Sequence, residues 1–220
     1  MQGHPLRPLS RRGVLAAACA AALLVACGRK SPSLPALPAQ APVLALGDSI
    51  TFGTGAPREA SYPAVLAQLT GWDVVNAGVP GDTSAGALAR LPGLLEEHAP
   101  QLVLVSIGGN DFLRRLPPDQ TRANIRAICE QAAASGAQVV LIGVPEASAL
   151  AAASRSLSDH AMYEELAGEL KVPLHAGGWS EVLGDPELKS DPIHGNAKGY
   201  EVFARGLADR LREIGLFAAH

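Results

Sequence analysis

The sequence predicts an α/β fold, a three-layer α/β/α sandwich on a flavodoxin-like parallel five-stranded sheet. Three observations lead there. Short, continuous apolar runs recur along the chain. Segments with apolar residues at helical spacing separate them. Several of the runs close on Gly or Asn, a turn signal at a strand end. Runs apolar on both faces, joined by crossover helices, belong to parallel sheets covered on both sides.

The elements follow in order. Pro42 to Gly47 is the first strand. Ser61 to Leu69 reads as a helix with Ser61 as its cap and Pro63 in its first turn. Trp72 to Asn76 is the second strand. Thr83 to His98 is a helix with Leu88, Leu91, Leu94 and Leu95 on one face and Thr83 as its cap. Leu102 to Ile107 is the third strand, closed by Gly108 and Gly109. Pro118 to Ser135 is a long helix, Gln138 to Gly143 the fourth strand and Ser158 to Leu170 a helix. Val172 to His175 is a short fifth strand, and Ala197 to Ile214 the last helix.

The first 41 residues stand apart from this alternation. Arg7, Arg11 and Arg12 precede an apolar run from Val14 to Cys27, with no acid among them. That run is 14 residues long, short of the ~20 that a spanning helix needs, so it reads as a signal-peptide core. It ends in Leu24-Val25-Ala26-Cys27, which matches the bacterial lipobox, with Cys27 as the residue that takes the lipid. Ser10 to Leu15 also resembles a twin-arginine export motif, and the sequence does not choose between the two export routes. We therefore expect residues 1–26 to be a lipoprotein signal peptide. Residues 27–41, rich in Pro, Ala and Ser, would then be the lipidated Cys and an extended tether, and residues 42–220 the domain. Gly28 after the Cys favours the outer over the inner membrane, so a lipid-anchored cell-envelope protein is expected.

Composition narrows the function. The 220 residues carry 18 Lys+Arg against 21 Asp+Glu, a net charge of -3 with no basic stripe, so nucleic acid is not an expected partner. Cys19, Cys27 and Cys129 form no C-x-x-C pair and no zinc spacing, and no metal is expected. Cys129 reads as a core residue of its helix. There is no Walker A pattern. Gly53-Thr54-Gly55 begins a dinucleotide-like pattern, but Arg58 stands where the third Gly belongs.

In open parallel sheets the site lies outside the carboxyl ends of the strands. Four blocks fall there: Gly47-Asp48-Ser49-Ile50, Asn76 through Thr83, Gly108-Gly109-Asn110-Asp111, and Asp191-Pro192-Ile193-His194 before the last helix. A hydroxyl, a glycine turn, a side-chain amide and an Asp/His pair thus share one rim. A serine hydroxyl is a poor nucleophile until a base takes its proton. His194 is the candidate base, and Asp191 the group that sets its tautomer. No G-x-S-x-G elbow surrounds Ser49, which disfavours the α/β-hydrolase fold. Asp48 and Asp111 read as residues that orient their loops. His98, His160, His175 and His220 have no evident partners.

Together the four blocks resemble the SGNH (GDSL-type) hydrolase superfamily, in its bacterial thioesterase I/lysophospholipase/arylesterase branch. The resemblance covers residues 42–214, with Gly195 standing where that branch commonly has Pro. It implies a serine esterase with no cofactor, acting on lysophospholipid, aryl or short to medium acyl esters and on thioesters. It implies Ser49, Asp191 and His194 as catalytic residues, and an oxyanion hole of the Ser49 N–H, the Gly78 N–H and the Asn110 amide. An acyl chain would lie against Phe112, Leu113 and Leu116. The expected partners are a small acyl-ester or lipid substrate and, through the anchor, a membrane. Two other readings stay open: a carbohydrate O-deacetylase of cell-wall or extracellular glycans, and a non-catalytic lipid-binding envelope lipoprotein.

Overall fold

The computed structural model describes residues 34–146 and 157–217. Five parallel strands form one sheet: β1 (Pro42–Gly47), β2 (Asp73–Gly78), β3 (Leu102–Ser106), β4 (Gln138–Ile142) and β5 (Leu174–His175). The strand order is β2-β1-β3-β4-β5. The chain leaves β1 to one side for β2 and returns on its other side as β3, which opens a crevice at the strands' carboxyl ends. Val43 to Leu46 and Leu102 to Val105 are fully buried, as strands covered on both faces should be.

Among the described residues eight helices cover the sheet: α1 (Ser49–Phe52), α2 (Tyr62–Thr70), α3 (Ser84–His98), α4 (Gly109–Leu113), α5 (Pro118–Ala134), α6 (Met162–Leu170), α7 (Gly178–Gly184) and α8 (Ala197–Glu213). Thr83 caps α3, its side chain accepting from the Gly86 N–H at 3.3 Å. Ser61 does not cap α2. Its hydroxyl turns back to donate to the Arg58 carbonyl at 2.7 Å, closing a short 3-10 turn. Cys129 is buried in α5, and that burial pushes its thiol up to about 12, which keeps it an inert core residue.

Three elements depart from expectation, each for a local reason. Helix α6 starts at Met162 rather than Ser158 because Asp159 is engaged elsewhere. It pairs across an antiparallel bridge with Pro145, and its carboxylate accepts from the Gly177 N–H and the Ser180 hydroxyl at 2.7 and 2.6 Å. Helix α7, unforeseen in the sequence, is pinned by Trp179. This side chain is fully buried, stacks on Phe203 at 3.6 Å and donates its indole N–H to Ser106 Oγ at 3.1 Å. Finally, residues 34–41 were expected to be part of a tether, yet they lie against the domain. The Leu34 and Leu37 N–H groups donate to the Ile214 and Leu216 carbonyls, both at 2.8 Å, and Gln138 reaches the Pro35 carbonyl at 2.9 Å. The physical reason is the pair of leucines three apart, which pack against the core, with Ala41 buried behind them. Only residues 27–33 of the expected tether lie outside the described part, together with the signal segment, Cys19, Cys27 and His220.

His175 closes β5 and is buried, with Nε2 lacking any hydrogen-bond partner and the Phe203 ring 5.3 Å away. Burial disfavours its charged form and pushes its pKa down from 6.5 to about 4. The folded state therefore binds this proton less readily than the unfolded chain, and stability drains as pH falls from about 6.5 to about 4. A shift of this size corresponds to about 3 kcal/mol. His175→Leu is expected to narrow the difference in Tm between pH 7 and pH 4 relative to the parent. Superimposable pH dependences would contradict this account.

Candidate active site

The first turn after β1 is built around Asp48. Its Oδ1 accepts the Ile50 N–H at 3.1 Å, capping α1 and presenting Ser49 at the helix's first position. Gly47 is required there: an added Cβ would sit 2.0 Å from Thr51 Oγ1 and 2.5 Å from the Ser106 carbonyl. The Ser49 N–H, ahead of the first helical turn, has no acceptor among the described residues.

The Asp/His pair arrives from the other end of the chain. Lys189 and Gly195 pair across a short antiparallel bridge, and the Ser190 N–H donates to the His194 carbonyl at 3.0 Å. Asn196 ends this loop by capping α8, and Tyr200 from α8 donates to the Thr54 carbonyl at 2.7 Å. That bond ties the histidine loop to the turn after Ser49. The result is a continuous chain: Ser49 Oγ lies 2.9 Å from His194 Nε2, and His194 Nδ1 lies 2.7 Å from Asp191 Oδ2. With Nδ1–H facing a carboxylate, Nε2 is left to accept from the serine hydroxyl. Asp191 Oδ1 also accepts the Ile193 and His194 N–H groups, both at 2.9 Å. Partial burial would raise the Asp191 pKa; the bond from the His194 ring and those two N–H groups outweigh it and hold the carboxyl below its ordinary value.

Asn110 stands in α4, just past β3. One N–H of its amide points to Asp48 Oδ2 at 3.4 Å, which leaves the other free to donate. Its neighbour Asp111 is buried and locks the loop from below. It accepts from the Ser84 N–H at 2.8 Å, the Ser84 hydroxyl at 2.5 Å and the Thr121 hydroxyl at 3.2 Å. Gly108 has φ +124, and a Cβ there would meet the Tyr163 hydroxyl at 2.5 Å. That hydroxyl donates to the Ile107 carbonyl at 2.8 Å, fixing the turn that carries Asn110. Phe112 is not part of an open wall. It is half-buried and stacks on His160 with centroids 4.9 Å apart, whereas Leu113 and Leu116 face solvent.

The expectation for Gly78 needs correction. Its N–H is committed to Asn76 Oδ1 at 3.0 Å, and a Cβ would lie 2.1 Å from the Phe52 nitrogen. Gly78 is therefore a packing glycine that lets β2 approach α1. Three residues on, Gly81 takes φ +78, and its N–H has no acceptor among the described residues. Its loop is folded back over β1: the Val79 N–H donates to the Gly47 carbonyl at 3.1 Å, and Arg90 bridges Asp82 and that same carbonyl at 2.8 and 2.9 Å. The signal for Gly81 was present in the sequence, since both glycines stand in the Asn76–Thr83 block. What separates them is φ and the fate of the N–H, neither of which a residue letter carries.

Asp48 is the site's perturbed acid. Full burial is the main cause that raises its carboxyl from 3.8 to about 7, against the lowering effects of the Ile50 N–H, His194 and Asn110. The folded state thus holds this proton more tightly than the unfolded chain. Stability is lost as pH rises from about 4 to about 7, and the penalty is complete above that. Asp48→Asn keeps a side chain that caps α1 well. It is expected to raise Tm at pH 8 and to lower kcat by about tenfold or more, because Asn110 loses its carboxylate partner. Unchanged Tm and kcat at pH 8 would contradict the placement of Asp48.

Comparison with known proteins agrees with this geometry. Residues 45–202 match the model of the GDSL-like Lipase/Acylhydrolase family. The chain is 36% identical over 177 residues to thioesterase 1/protease 1/lysophospholipase L1 of Escherichia coli K12, covering 78% of this chain and 84% of that protein. It is 34% identical over 179 residues to the arylesterase of Vibrio mimicus, covering 77% and 87%. Among solved structures, the crystal structure of TesA superposes with TM-score 0.69 at 31% identity, covering 78% of this chain and 98% of that one. A half-buried serine bonded to an Asp-oriented histidine at the carboxyl edge of a 2-1-3-4-5 sheet thus coincides with a family match over most of the domain, and the chain belongs to the GDSL-like lipase/acylhydrolase family of SGNH serine esterases.

Proposed function

We propose that this protein hydrolyses carboxylic esters of lysophospholipid, aryl or short to medium acyl type, and thioesters, through an acyl-Ser49 intermediate. The observation that carries the proposal is the unbroken hydrogen-bond chain from Ser49 Oγ through His194 to Asp191, at 2.9 and 2.7 Å. In the first step Ser49 Oγ attacks the ester carbonyl carbon while Nε2 of His194 takes its proton. The imidazolium is stabilised by Asp191, which stays ionised. The carbonyl oxygen becomes an oxyanion, facing the Ser49 N–H, the Gly81 N–H and the free N–H of Asn110. Collapse expels the alcohol, which leaves with the proton from Nε2. Water then repeats the sequence with His194 as base, releasing the acid and restoring Ser49.

A series of p-nitrophenyl esters from acetate to octanoate, with a lysophospholipid beside it, tests this reading. Turnover of the longer esters is expected. Turnover of acetate alone would favour the glycan O-deacetylase reading, and no turnover the non-catalytic one. We further propose, from Leu24-Val25-Ala26-Cys27 and the arginine-flanked apolar run before it, that Cys27 is lipidated and that the protein works in the cell envelope. Recovery of the parent in the membrane fraction, with Cys27→Ser shifted out of it or retained as precursor, supports this. An unmodified Cys27 in cytosolic protein contradicts it.

A further inference from the structure

Five large apolar side chains are substantially exposed among the described residues: Phe52, Val79, Leu113, Leu116 and Ile193, at 37% to 45%. A folded surface normally scatters such residues. Here every one sits beside a group of the site. Phe52 is three residues past Ser49 and Val79 stands two residues before Gly81. Leu113 and Leu116 flank the end of the helix that carries Asn110, and Ile193 precedes His194. Between the two leucines stand Arg114 and Arg115, both exposed. Arg114 crosses to the Gly81 carbonyl at 2.7 Å, so this apolar-basic loop is braced against the loop of Val79. Two nearby acids are already engaged, Asp82 by Arg90 and Asp191 by His194, and one, Asp119 in the first turn of α5, is exposed beside the two arginines' loop.

We infer that the catalytic face docks onto a phosphate-bearing lipid surface, with this apolar rim entering the acyl boundary and Arg114 and Arg115 meeting headgroup phosphates. The inference rests on the ester-hydrolase reading and adds how the site meets its substrate. Long basic side chains between apolar ones suit an interface whose interior is apolar and whose outer layer is anionic. A second copy packed rim to rim would instead set like charges against each other. The first described residues lie at the opposite end of the strands. Leu34 and Pro35 are bonded to Ile214 and to Gln138 at the start of β4, about 16 Å of strand away from the rim.

The test uses Leu116→Trp in the full chain, because the native Trp72 and Trp179 are buried and provide a silent background. Vesicles of bromine-labelled phosphatidylcholine, with or without phosphatidylglycerol, are added. The introduced indole is expected to lose most of its emission with the anionic vesicles and less with the neutral ones, while the parent protein loses little. Adding Arg114→Gln and Arg115→Gln should bring the anionic signal down to the neutral level. Lysophosphatidylcholine in the same vesicles is assayed in parallel. If it is hydrolysed while the indole stays unquenched, the docking surface is elsewhere and the inference fails. Protection of the indole by concentration-dependent self-association overturns it in favour of a second copy. Equal quenching on both vesicles overturns the role given to the arginines. Quenching needs no turnover, so a protein that docks but turns over none of the p-nitrophenyl esters from acetate to octanoate refutes the ester-hydrolase reading and not the docking.

Discussion

Ser49→Ala is expected to abolish ester hydrolysis and leave the fold in place. The substitution removes one partly exposed hydroxyl at the start of α1 and no core volume, and the Asp48 cap on Ile50 does not involve it. What it deletes is the only atom within reach of His194 Nε2 that can attack a carbonyl, at 2.9 Å among the described residues. Loss of kcat by about 10⁶ is the scale for a nucleophile of this kind. His194→Ala should be as damaging, and the double variant no worse than either, since nucleophile and base act as one unit. Activity should also fall on acidification. The Asp191 carboxyl is held below its ordinary value, so its loss of charge does not set the acid limb. A profile flat from about pH 8 to about pH 5 would be incompatible with a histidine base.

Asn110→Ala is expected to lower kcat by about 10²–10³, the cost of one preorganised oxyanion donor. KM should move much less, because the donor gains most of its value once the carbonyl oxygen carries charge. Two features make this a clean measurement. Asp111, not Asn110, carries the contacts that hold the loop to α3 and α5, so the loop should survive. Asp48 keeps its backbone bond to Ile50 when its long contact to Asn110 is lost. Steady-state kinetics on a soluble p-nitrophenyl ester separates the outcomes. An unchanged kcat would make Asn110 a turn residue, and a rise in KM alone would make it a substrate-binding residue.

Much of this architecture could be read from residue types because the relevant physics is local. Val43 to Leu46 and Leu102 to Val105 are apolar without alternation, which only a sheet buried on both faces accommodates. Each strand's carboxyl end then marks a place for chemistry, and Ser49, Asn110 and the Asp191/His194 pair were found by that rule and by the family's four blocks. The failures are equally physical. Gly78 and Gly81 are the same letter three positions apart, and only the backbone shows that one N–H is spent on Asn76. Residues 34–41 have the composition of a linker, yet two leucines find cover on a surface formed by residues almost 180 positions later. Helix α7 is too short to display a period and exists because Trp179 has a slot between Phe203 and Ser106. His175 shows no partner in the sequence and has none at Nε2, but its burial and the acid sensitivity that follows are not visible in a two-residue strand.

The central claim is that catalysis runs through a covalent bond to Ser49. Reaction of the parent protein with a fluorophosphonate, followed by peptide mapping in a mass spectrometer, tests it most directly. Attack by an activated serine on phosphorus displaces fluoride and leaves a stable phosphonyl ester, so the adduct records which hydroxyl His194 activates. One adduct per chain is expected, on the peptide containing Gly47-Asp48-Ser49, formed in step with the loss of esterase activity and absent in His194→Ala. An adduct on any other serine, or undiminished hydrolysis after full labelling of Ser49, would contradict it.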